Sequence, residues 1–407
     1  MQIKRTKFLM LALLLIAFMF FTSDLGLIDV EKTSIITAVA IDMEDEEYIV
    51  TAQIAVPEAT DTNTENQKAQ ISGKGSTVGA ALKDLGDTSG WFPKLSFCNL
   101  ILIGENLAKT NVMNALDYFA KTLRVQDSAL VVMCEKSAKE ILALATPLDN
   151  ISSFAIQKIL LKTIGFNRDI ATTDIKTFCS GHYSDSASAY MPVIKCIKAD
   201  EPNSEGGESI SASGSDKGSQ SSSNSESEKK ENSDNLFDAT TTALFKNGYK
   251  VGELDENLSL VFNAFGGSFN GTTIPIDGVP FGGKTVNYLL TVINKISSVK
   301  LSATENDLTL KLNLTLYCKI ADVNTDYSED SLSNNAPLPE PLIEKAENFF
   351  TEYVNELVET SVQTECDIFK IKEKLYRHNY KQYSRYKDNY FSALKTDINV
   401  NVYGQSQ

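Results

Sequence analysis

The feature that most constrains the fold is a long low-complexity stretch near the middle of the chain. Residues 199–235 are rich in Ser, Glu, Gly and Asn, and Ile210 is their one large apolar residue. A segment of this composition cannot bury enough apolar surface to offset the conformational entropy that folding would cost it. We therefore expect a disordered linker at 199–235 between two folded regions, one at 28–198 and the other at 236–407.

Composition limits the kinds of protein and partner that fit this chain. Its 407 residues are enough for two or three domains, and hydrophobic and charged contents of 42% and 22% are ordinary for folded domains. The formal net charge of −15 argues against nucleic acid as a partner, because the phosphate backbone is bound by a cationic surface. The same charge argues against broad adhesion to anionic lipid, so membrane attachment depends on the N-terminal segment.

The N-terminus is typical of an exported protein. Basic residues precede an apolar run at 8–21, and no cysteine that could be lipidated occurs before Cys98. A cut after Ser23 would place phenylalanine at the −3 position, where small residues are preferred. The run is short for a spanning helix, which needs about 20 residues, although apolar residues up to Ile28 could extend it. We predict a signal peptide or membrane anchor at 1–23, and favour an uncleaved anchor with the rest outside the cytoplasm.

The first folded region combines strand and helix patterns. The β-branched runs "SIITAVAID" and "YIVTAQIAV", separated by a polar turn, predict a hairpin. A helix is expected to begin after Ser76 or Thr77, since either side chain can cap it and apolar residues then recur on one face. Apolar strand patterns such as "ALVVMCE" alternate with further amphipathic helices. This mixture predicts an α+β fold with mixed or antiparallel sheets rather than a regular βαβ array.

The second folded region is expected to contain long strands and one long helix. Asn247 and Gly248, between two short β-prone runs, form a strong hairpin signal. The stretch "LTLKLNLTLYCKI" alternates apolar and polar residues, so its leucines share one face of a strand. From Leu342 onward the apolar residues follow the spacing of an amphipathic helix, and "TDINVNVYG" is typical of a terminal strand.

One stretch satisfies the phosphate-loop pattern GxxxxGK[ST]. It is "GVPFGGKT" at 278–285, in which Lys284 would reach the outer phosphates and Thr285 the magnesium ion. The pattern requires a buried strand before the loop and a helix after it. Here the preceding run is short and contains proline, and the following residues lead into a long β-prone region. A glycine-rich turn is therefore the better interpretation, and no nucleotide or other cofactor is expected.

Candidate residues for catalysis or metal binding are few. Ser180, His182 and Asp185 are close in sequence, but a catalytic triad is built by spatial convergence, so a surface loop is the better interpretation. None of the 6 cysteines forms a CxxC pair or has a histidine at ligand spacing, which argues against a zinc site. Most are expected to be buried apolar residues, and Cys179 and Cys196 could form a disulfide in an oxidising compartment. We expect no catalytic, cofactor or metal residues, and no enzyme.

A tyrosine-rich segment near the C-terminus is the most cationic part of the chain. The stretch "YRHNYKQYSRYKDNY" interleaves tyrosines with Arg377, His378, Lys381, Arg385 and Lys387. Aromatic and basic residues together can contact lipid headgroups or single-stranded nucleic acid. We favour a helix–turn segment whose tyrosines pack on a sheet while its charges face water, with headgroup contact as the second interpretation.

The order of these segments resembles the Ger(x)C family of spore germination proteins, the lipoprotein C subunits of nutrient germinant receptors. The similar stretches in the first region include "ITAVAIDMEDEEYIVTAQIAVPE", "GKGSTVGAALKDLG", "PKLSFCNLILIGENLAK" and "DSALVVMCEKSAKEIL". Those in the second region include "TTALFKNGYKVGELDENLS", "NKISSVKLSATENDLTLKLNLTL" and the ending from "ECDIFKIKEKLYRHNY" onward. Family members usually carry a lipid-modified cysteine after the apolar run, whereas this chain reads "FFTSDLGLIDVEK" there.

The resemblance implies a non-enzymatic, multi-domain α+β protein on the outer face of the spore inner membrane. It would act in spore germination with the membrane-embedded A and B receptor subunits, and it would bind the membrane through its N-terminal segment. The missing lipidation cysteine then indicates that a peptide anchor replaces the lipid. An envelope-anchored binding protein for a small solute or glycan is the alternative function that the sequence leaves open.

Overall fold

The structure is a computed structural model that describes residues 10–11, 13–14, 33–54, 69–122, 125–149, 151–161, 170–198, 235–267, 269–324 and 337–404. The predicted anchor at 1–23 lies outside these residues except for four helical, exposed positions, and the predicted linker at 199–235 lies outside them except for Asn235. Within the described ranges, no helix is both long enough and apolar enough to cross a membrane.

Within the part of the chain that the structure describes, the first sheet has nine strands and is mixed. Its strands are β1 (Thr33–Glu44), β2 (Glu47–Ile54), β3 (Ala69–Gly75), β4 (Phe92–Lys94), β5 (Leu100–Ile103), β6 (Leu130–Cys134), β7 (Ser188–Lys198), β8 (Asn235–Lys246) and β9 (Tyr249–Leu254). Their order is β3-β2-β1-β5-β6-β7-β8-β9, with β4 paired to the start of β1. The central strands β1, β5, β6 and β7 run parallel, while β2, β3, β8 and β9 are added as antiparallel hairpins.

Helices cover both faces of this sheet. They are α1 (Val78–Ser89), α2 (Glu105–Ala108), α3 (Met113–Thr122), α4 (Ala138–Ala143), α5 (Ser152–Leu161) and α6 (Ile175–His182). One face packs on α1, α2, α3 and α6, and the other face on α4 and α5. Thr77 caps α1 by accepting a hydrogen bond from the Ala80 amide, as one of the two predicted capping residues. The central strands are buried on both faces because helices lie on both sides.

In the described part of the chain, the second sheet has four strands, and apolar and polar residues alternate along the third of them. Its strands are β10 (Thr273–Phe281), β11 (Lys284–Ala303), β12 (Leu308–Asn324) and β13 (Leu394–Gly404), in that order. In β12 the predicted face is completely buried at Leu308, Leu310, Leu312, Leu314 and Leu316. The strand pairs are antiparallel except for β12 with β13, which are parallel.

Among the described residues, five helices accompany the second sheet. They are α7 (Glu256–Gly266), α8 (Glu340–Gln363), α9 (Ile371–His378), α10 (Tyr380–Tyr386) and α11 (Tyr390–Ala393). The long helix α8 is the predicted amphipathic helix, and it buries Leu342, Phe350 and Val354 in the same hydrophobic cluster as the β12 leucines. The prediction of an α+β fold with mixed sheets is therefore confirmed.

The first sheet continues across the predicted linker. β7 and β8 pair along their length, from Ser188 opposite Lys246 to Lys198 opposite Asn235. The hairpin predicted at Asn247 joins β8 to β9 at the end of this same sheet, so both strands belong to the first sheet although they follow the linker in sequence. The division of the chain into regions at 28–198 and 236–407 remains a prediction, and the pairing of β7 with β8 shows that the two are joined by backbone hydrogen bonds.

Candidate functional site

A small cleft lies where helix α6 and the strand after it meet the residues that lead into helix α9. Its volume is about 60 Å³. Residues of α6 and of the following turn line one side, including Thr177, Ser180, Ser184 and Ser186. Segment 367–373 lines the other side. The cleft therefore brings together two parts of the chain that the sequence separates by about 180 residues.

Asp367 is the buried acid of this cleft, and its interactions are those of a structural residue. One carboxylate oxygen accepts a hydrogen bond from the Ile371 amide at 2.7 Å and the other from the Lys372 amide at 2.9 Å. These are the first amides of α9, which have no partner inside the helix. The Asp367 amide in turn donates to Ser188 Oγ at 2.9 Å. Asp367 therefore starts α9 and ties it to β7.

Burial changes the titration of the groups around Asp367. It raises the pKa of the Asp367 carboxyl, although the two backbone hydrogen bonds oppose the shift. Burial also raises the pKa of the Cys366 thiol to about 12, so this cysteine stays protonated and is a poor nucleophile near neutral pH. Lys246 donates to the Ser186 carbonyl at 2.6 Å, and burial lowers the pKa of its ammonium group.

The structure does not assemble Ser180, His182 and Asp185 into a catalytic triad. The Asp185 carboxylate accepts a hydrogen bond from the Tyr383 hydroxyl at 3.0 Å. His182 packs edge-on against the ring of Tyr183, and its Nδ1 atom is buried without a hydrogen-bond partner. Burial lowers the pKa of this imidazole. Ser180 and His182 lie in the last turn of α6 and only Asp185 lies in the turn after it, so the surface loop that the sequence favoured is wrong for the first two residues.

The stretch "GVPFGGKT" at 278–285 is a β-hairpin. Phe281 ends β10, Lys284 begins β11, and the two residues pair with each other. Gly282 and Gly283 form the turn with φ angles of +58° and +80°, a region that favours glycine. A phosphate loop needs a helix after it so that the helix N-terminus faces the phosphates. Because a strand follows instead, the prediction of a glycine-rich turn is correct.

The cysteines and acidic residues do not form a metal site among the described residues. All 6 cysteines are described and free, including Cys179 and Cys196, and Cys98, Cys134, Cys318 and Cys366 are buried as expected. Within the described ranges no group of three or more His, Cys, Asp or Glu side chains is placed to hold a metal ion.

An exposed group of three tyrosines lies beside the cleft and is called here the tyrosine cluster: Tyr376, Tyr380 and Tyr383. Tyr376 contacts Tyr380 edge-on at a centroid distance of 5.5 Å and Tyr383 at 5.2 Å. Tyr380 and Tyr383 are parallel at 6.3 Å. Tyr376 and Tyr380 are 50% and 67% exposed, so much of their aromatic surface faces solvent.

The residues around the tyrosine cluster agree only in part with the sequence-based interpretation. The segment is helical, and its basic residues face solvent as predicted. They are Arg377, His378, Lys381, Arg385 and Lys387. Tyr386 and Tyr390 pack into the core as expected, and the Tyr386 hydroxyl donates to the Thr304 carbonyl at 3.1 Å. Tyr376 and Tyr380 instead remain at the surface. The fold and this site define a two-sheet α+β protein that presents an aromatic and cationic surface where its two halves meet.

Comparisons with known families agree with this architecture. The model for the spore germination protein N-terminal domain matches residues 27–196. The model for the spore germination B3/GerAC-like C-terminal domain matches residues 240–405. This chain therefore belongs to the GerAC-like family of spore germination proteins, as its segment order predicted.

The other comparisons add one structural neighbour. A crystal structure of the GerBC protein is similar to this chain at 13% sequence identity and a TM-score of 0.46, and the match covers 92% of this chain and 99% of that one. No curated protein matches the chain.

Proposed function

We propose that this protein is a non-enzymatic subunit of a spore nutrient germinant receptor, attached to the outer face of the spore inner membrane. It acts in germination by docking on the membrane-embedded A and B subunits. The observation that carries the proposal is that spore germination family models match both halves of the chain, at 27–196 and 240–405. A subunit that works by docking needs a stable scaffold and an exposed contact surface rather than a reactive centre.

The tyrosine cluster supports docking because of its composition and exposure. Tyrosine and arginine are enriched among the residues that contribute most to protein–protein binding. Tyr376 and Tyr380 expose large aromatic surfaces, and Arg377 and Arg385 lie beside them on α9 and α10. Tyr383 is held in place by its hydrogen bond to Asp185. The rings are thus positioned by packing before any partner arrives, which reduces the entropic cost of binding.

The cleft supports a structural role more than a reactive or solute-binding one. Its buried acid is engaged by two helix amides, and the thiol of Cys366 is protonated at neutral pH because its pKa is raised to about 12. The volume of about 60 Å³ is far below the roughly 300–1,000 Å³ typical of small-molecule pockets. The alternative of an envelope-anchored protein for a small solute or glycan gains no support from this cleft.

Co-purification from native membranes tests the proposed function. We expect the full-length chain, extracted from spore membranes in mild detergent, to carry multi-pass partner subunits with it. Tyr376→Ser combined with Tyr380→Ser should weaken this association. Tyr249→Ser is the matched control, because Tyr249 is 49% exposed on a different surface, the hairpin between β8 and β9. An extract of the wild-type chain that contains no multi-pass partner would contradict the proposal.

Two further measurements test the process and the anchor. A deletion strain should lose germination with some nutrients in a panel and keep it with others, because a receptor subunit serves particular signals. A strain that germinates normally with every nutrient would contradict the proposed role.

Mass spectrometry of the mature protein should find the N-terminal residues intact, and a mature terminus near Asp24 would overturn the uncleaved anchor.

A further inference from the structure

A second exposed aromatic surface lies at the start of β1, and we call it the edge patch: Ile35, Trp91, Phe92, Lys94 and Phe97. Its apolar residues are 41%, 46%, 39% and 51% exposed at Ile35, Trp91, Phe92 and Phe97. Lys94 Nζ lies 5.9 Å from the centre of the Phe97 ring. A contiguous group of large apolar side chains at the surface commonly marks a site of interaction.

The backbone under the edge patch is fixed, so its rings are held at the surface. Phe92, Pro93 and Lys94 form β4, which pairs in parallel with Thr33, Ser34 and Ile35 of β1. The Trp91 amide donates to Ser89 Oγ at 3.2 Å. Immediately after β4, Leu95 and Cys98 are buried at 3% and 0% exposure and hold the turn that carries Phe97. The exposure of the aromatic rings therefore follows from the fold rather than from a loose loop.

The edge patch lies where the chain arrives from its N-terminal segment. Thr33 is the first residue of β1, and it is paired with Phe92 of the patch. Residues 22–32 separate Thr33 from the apolar run at 8–21. These are about 11 residues, which span at most roughly 40 Å when fully extended. A chain anchored through 8–21 therefore keeps Thr33 within roughly 40 Å of the bilayer, so the edge patch can reach the bilayer surface.

We propose that the edge patch rests on the lipid headgroups of the bilayer, with its three aromatic rings at the interface and Lys94 at the phosphates. The inference depends on the membrane attachment proposed above. It adds a second contact, which would fix the orientation of the folded region relative to the membrane. Tryptophan is enriched at membrane–water interfaces, and lysine can extend its ammonium group to the headgroups while its stem covers apolar surface.

The chemistry of the edge patch favours lipid over protein as its occupant. Lysine is depleted from protein–protein interfaces, whereas basic side chains near an anionic leaflet each contribute about 1 kcal/mol of attraction. Two acids lie close to the patch in sequence: Glu31, which Lys32 follows, precedes Ile35, and Asp87 precedes Trp91. Asp87 is ion-paired with Lys83 in α1, so its negative charge is compensated.

The single tryptophan of the chain provides the test. Trp91 is the only tryptophan beside 15 tyrosines, so fluorescence excited selectively at tryptophan reports on the edge patch alone. The full-length protein is reconstituted into vesicles of phosphatidylcholine and phosphatidylglycerol, and flotation measures attachment. Parallel vesicles contain phosphatidylcholine brominated near the headgroup or near the chain end. We expect about twofold quenching by the shallow bromines and less by the deep ones, as for a ring at the interface.

Two variants sharpen the test. In Trp91→Phe with Tyr403→Trp, the fluorophore moves to the outer strand of the second sheet, at a position that is 51% exposed, and it should not be quenched. In Phe92→Ser with Phe97→Ser, both changed rings are partly exposed, so the fold should be kept, as circular dichroism verifies. This variant should still float through its N-terminal segment, but quenching of Trp91 should fall.

Each outcome decides the inference. Flotation with shallow quenching that falls in Phe92→Ser with Phe97→Ser supports it. Flotation without quenching overturns the inference and leaves membrane attachment standing. A chain that does not float refutes both attachment and the inference. If Trp91 is unquenched in vesicles that contain no partner subunit, and its emission shifts only after a multi-pass partner subunit is added, the patch binds protein. The assignment of the patch to lipid is then wrong.

Discussion

Replacing Asp367 by alanine is the perturbation that most directly tests the reasoning about the cleft. The substitution leaves the amides of Ile371 and Lys372 without their acceptors at 2.7 and 2.9 Å. A buried amide without a partner costs roughly 1–3 kcal/mol, so the two together give about 2–6 kcal/mol. Removing the buried carboxylate relieves part of this cost, since burial raises its pKa and thus disfavours its charge. We expect α9 to be destabilised by about 2 kcal/mol.

Hydrogen exchange read by mass spectrometry measures this effect locally, which matters because a chain of this size need not unfold in one step. A loss of about 2 kcal/mol corresponds to roughly 30-fold faster exchange of the α9 amides. Asp388→Ala is the matched control, because Asp388 is an exposed aspartate of the same segment, and it should leave exchange unchanged. Exchange in Asp367→Ala within twofold of wild type would refute the view that this carboxylate organises α9.

Asp367→Asn tests the same carboxyl group through the pH dependence of protein stability. Because the folded-state pKa is raised from the ordinary 3.8, the folded protein binds this proton more tightly than the unfolded chain does. The stability from this group is therefore fully present below pH 3.8 and is lost as pH rises through the folded pKa. Asparagine does not titrate, so the stability of the Asp367→Asn variant should not change with pH through this group. The difference in free energy of unfolding between wild type and the variant should therefore shrink as pH rises through this window. A difference in free energy of unfolding that stays constant with pH in denaturation measurements would contradict the raised pKa.

Three further substitutions test the fold and the hairpin. Leu312→Ala in the fully buried face of β12 should lower the free energy of unfolding by about 2–5 kcal/mol, whereas exposed Ile296→Ala in β11 should change it little. In Gly104→Ala, the added Cβ would overlap Asp42 Oδ1 and displace the acceptor of the Ala138 and Lys139 amides, so the melting temperature should fall. Lys284→Ala should leave germination unchanged, and a germination defect with measurable nucleotide binding would revive the phosphate-loop interpretation.

Local sequence patterns predicted the helices, strands and turns that are fixed by interactions between residues close to each other in sequence. The hairpin at Asn247 and Gly248 follows from their positive φ angles of 53° and 86°, which Asn and Gly adopt most readily. The helix after Thr77 follows from a capping hydroxyl and a periodic apolar face. The buried leucine face of β12 follows from strict alternation. In each case the interaction that fixes the structure lies within a few residues along the chain.

The cleft and the edge patch could not be predicted in the same way, because they depend on contacts between distant residues. Asp367 resembles a helix-capping residue in its local sequence, but its hydrogen bond to Ser188 spans 179 positions. Trp91 precedes an apolar strand, a position typical of a packed ring, yet it is 46% exposed. Periodicity shows which residues share a face of an element, and only the pairing of β4 with β1 determines where that face points.

The pairing of β7 with β8 leads to a last prediction about the segment between them. Lys198 and Asn235 are directly opposite each other in an antiparallel pair, so a two-residue turn could join them. We expect that replacing residues 199–234 by Asn-Gly keeps the first sheet intact. Shortening a loop of about 36 residues to 2 is roughly four halvings, and each halving lowers the closure entropy cost by about 0.6 kcal/mol. The variant should therefore be more stable than wild type by up to about 2.4 kcal/mol.

Thermal unfolding and hydrogen exchange of β7 and β8 measure the outcome. A raised melting temperature with unchanged protection of both strands would show that the segment is an insertion within one sheet rather than a spacer between independent units. Lost protection in β7 or β8 would refute the pairing, because a short turn tolerates only strands that already lie side by side. Replacement of the same residues by a glycine–serine segment of equal length is the control, and it should leave the melting temperature at the wild-type value, since loop length is then unchanged.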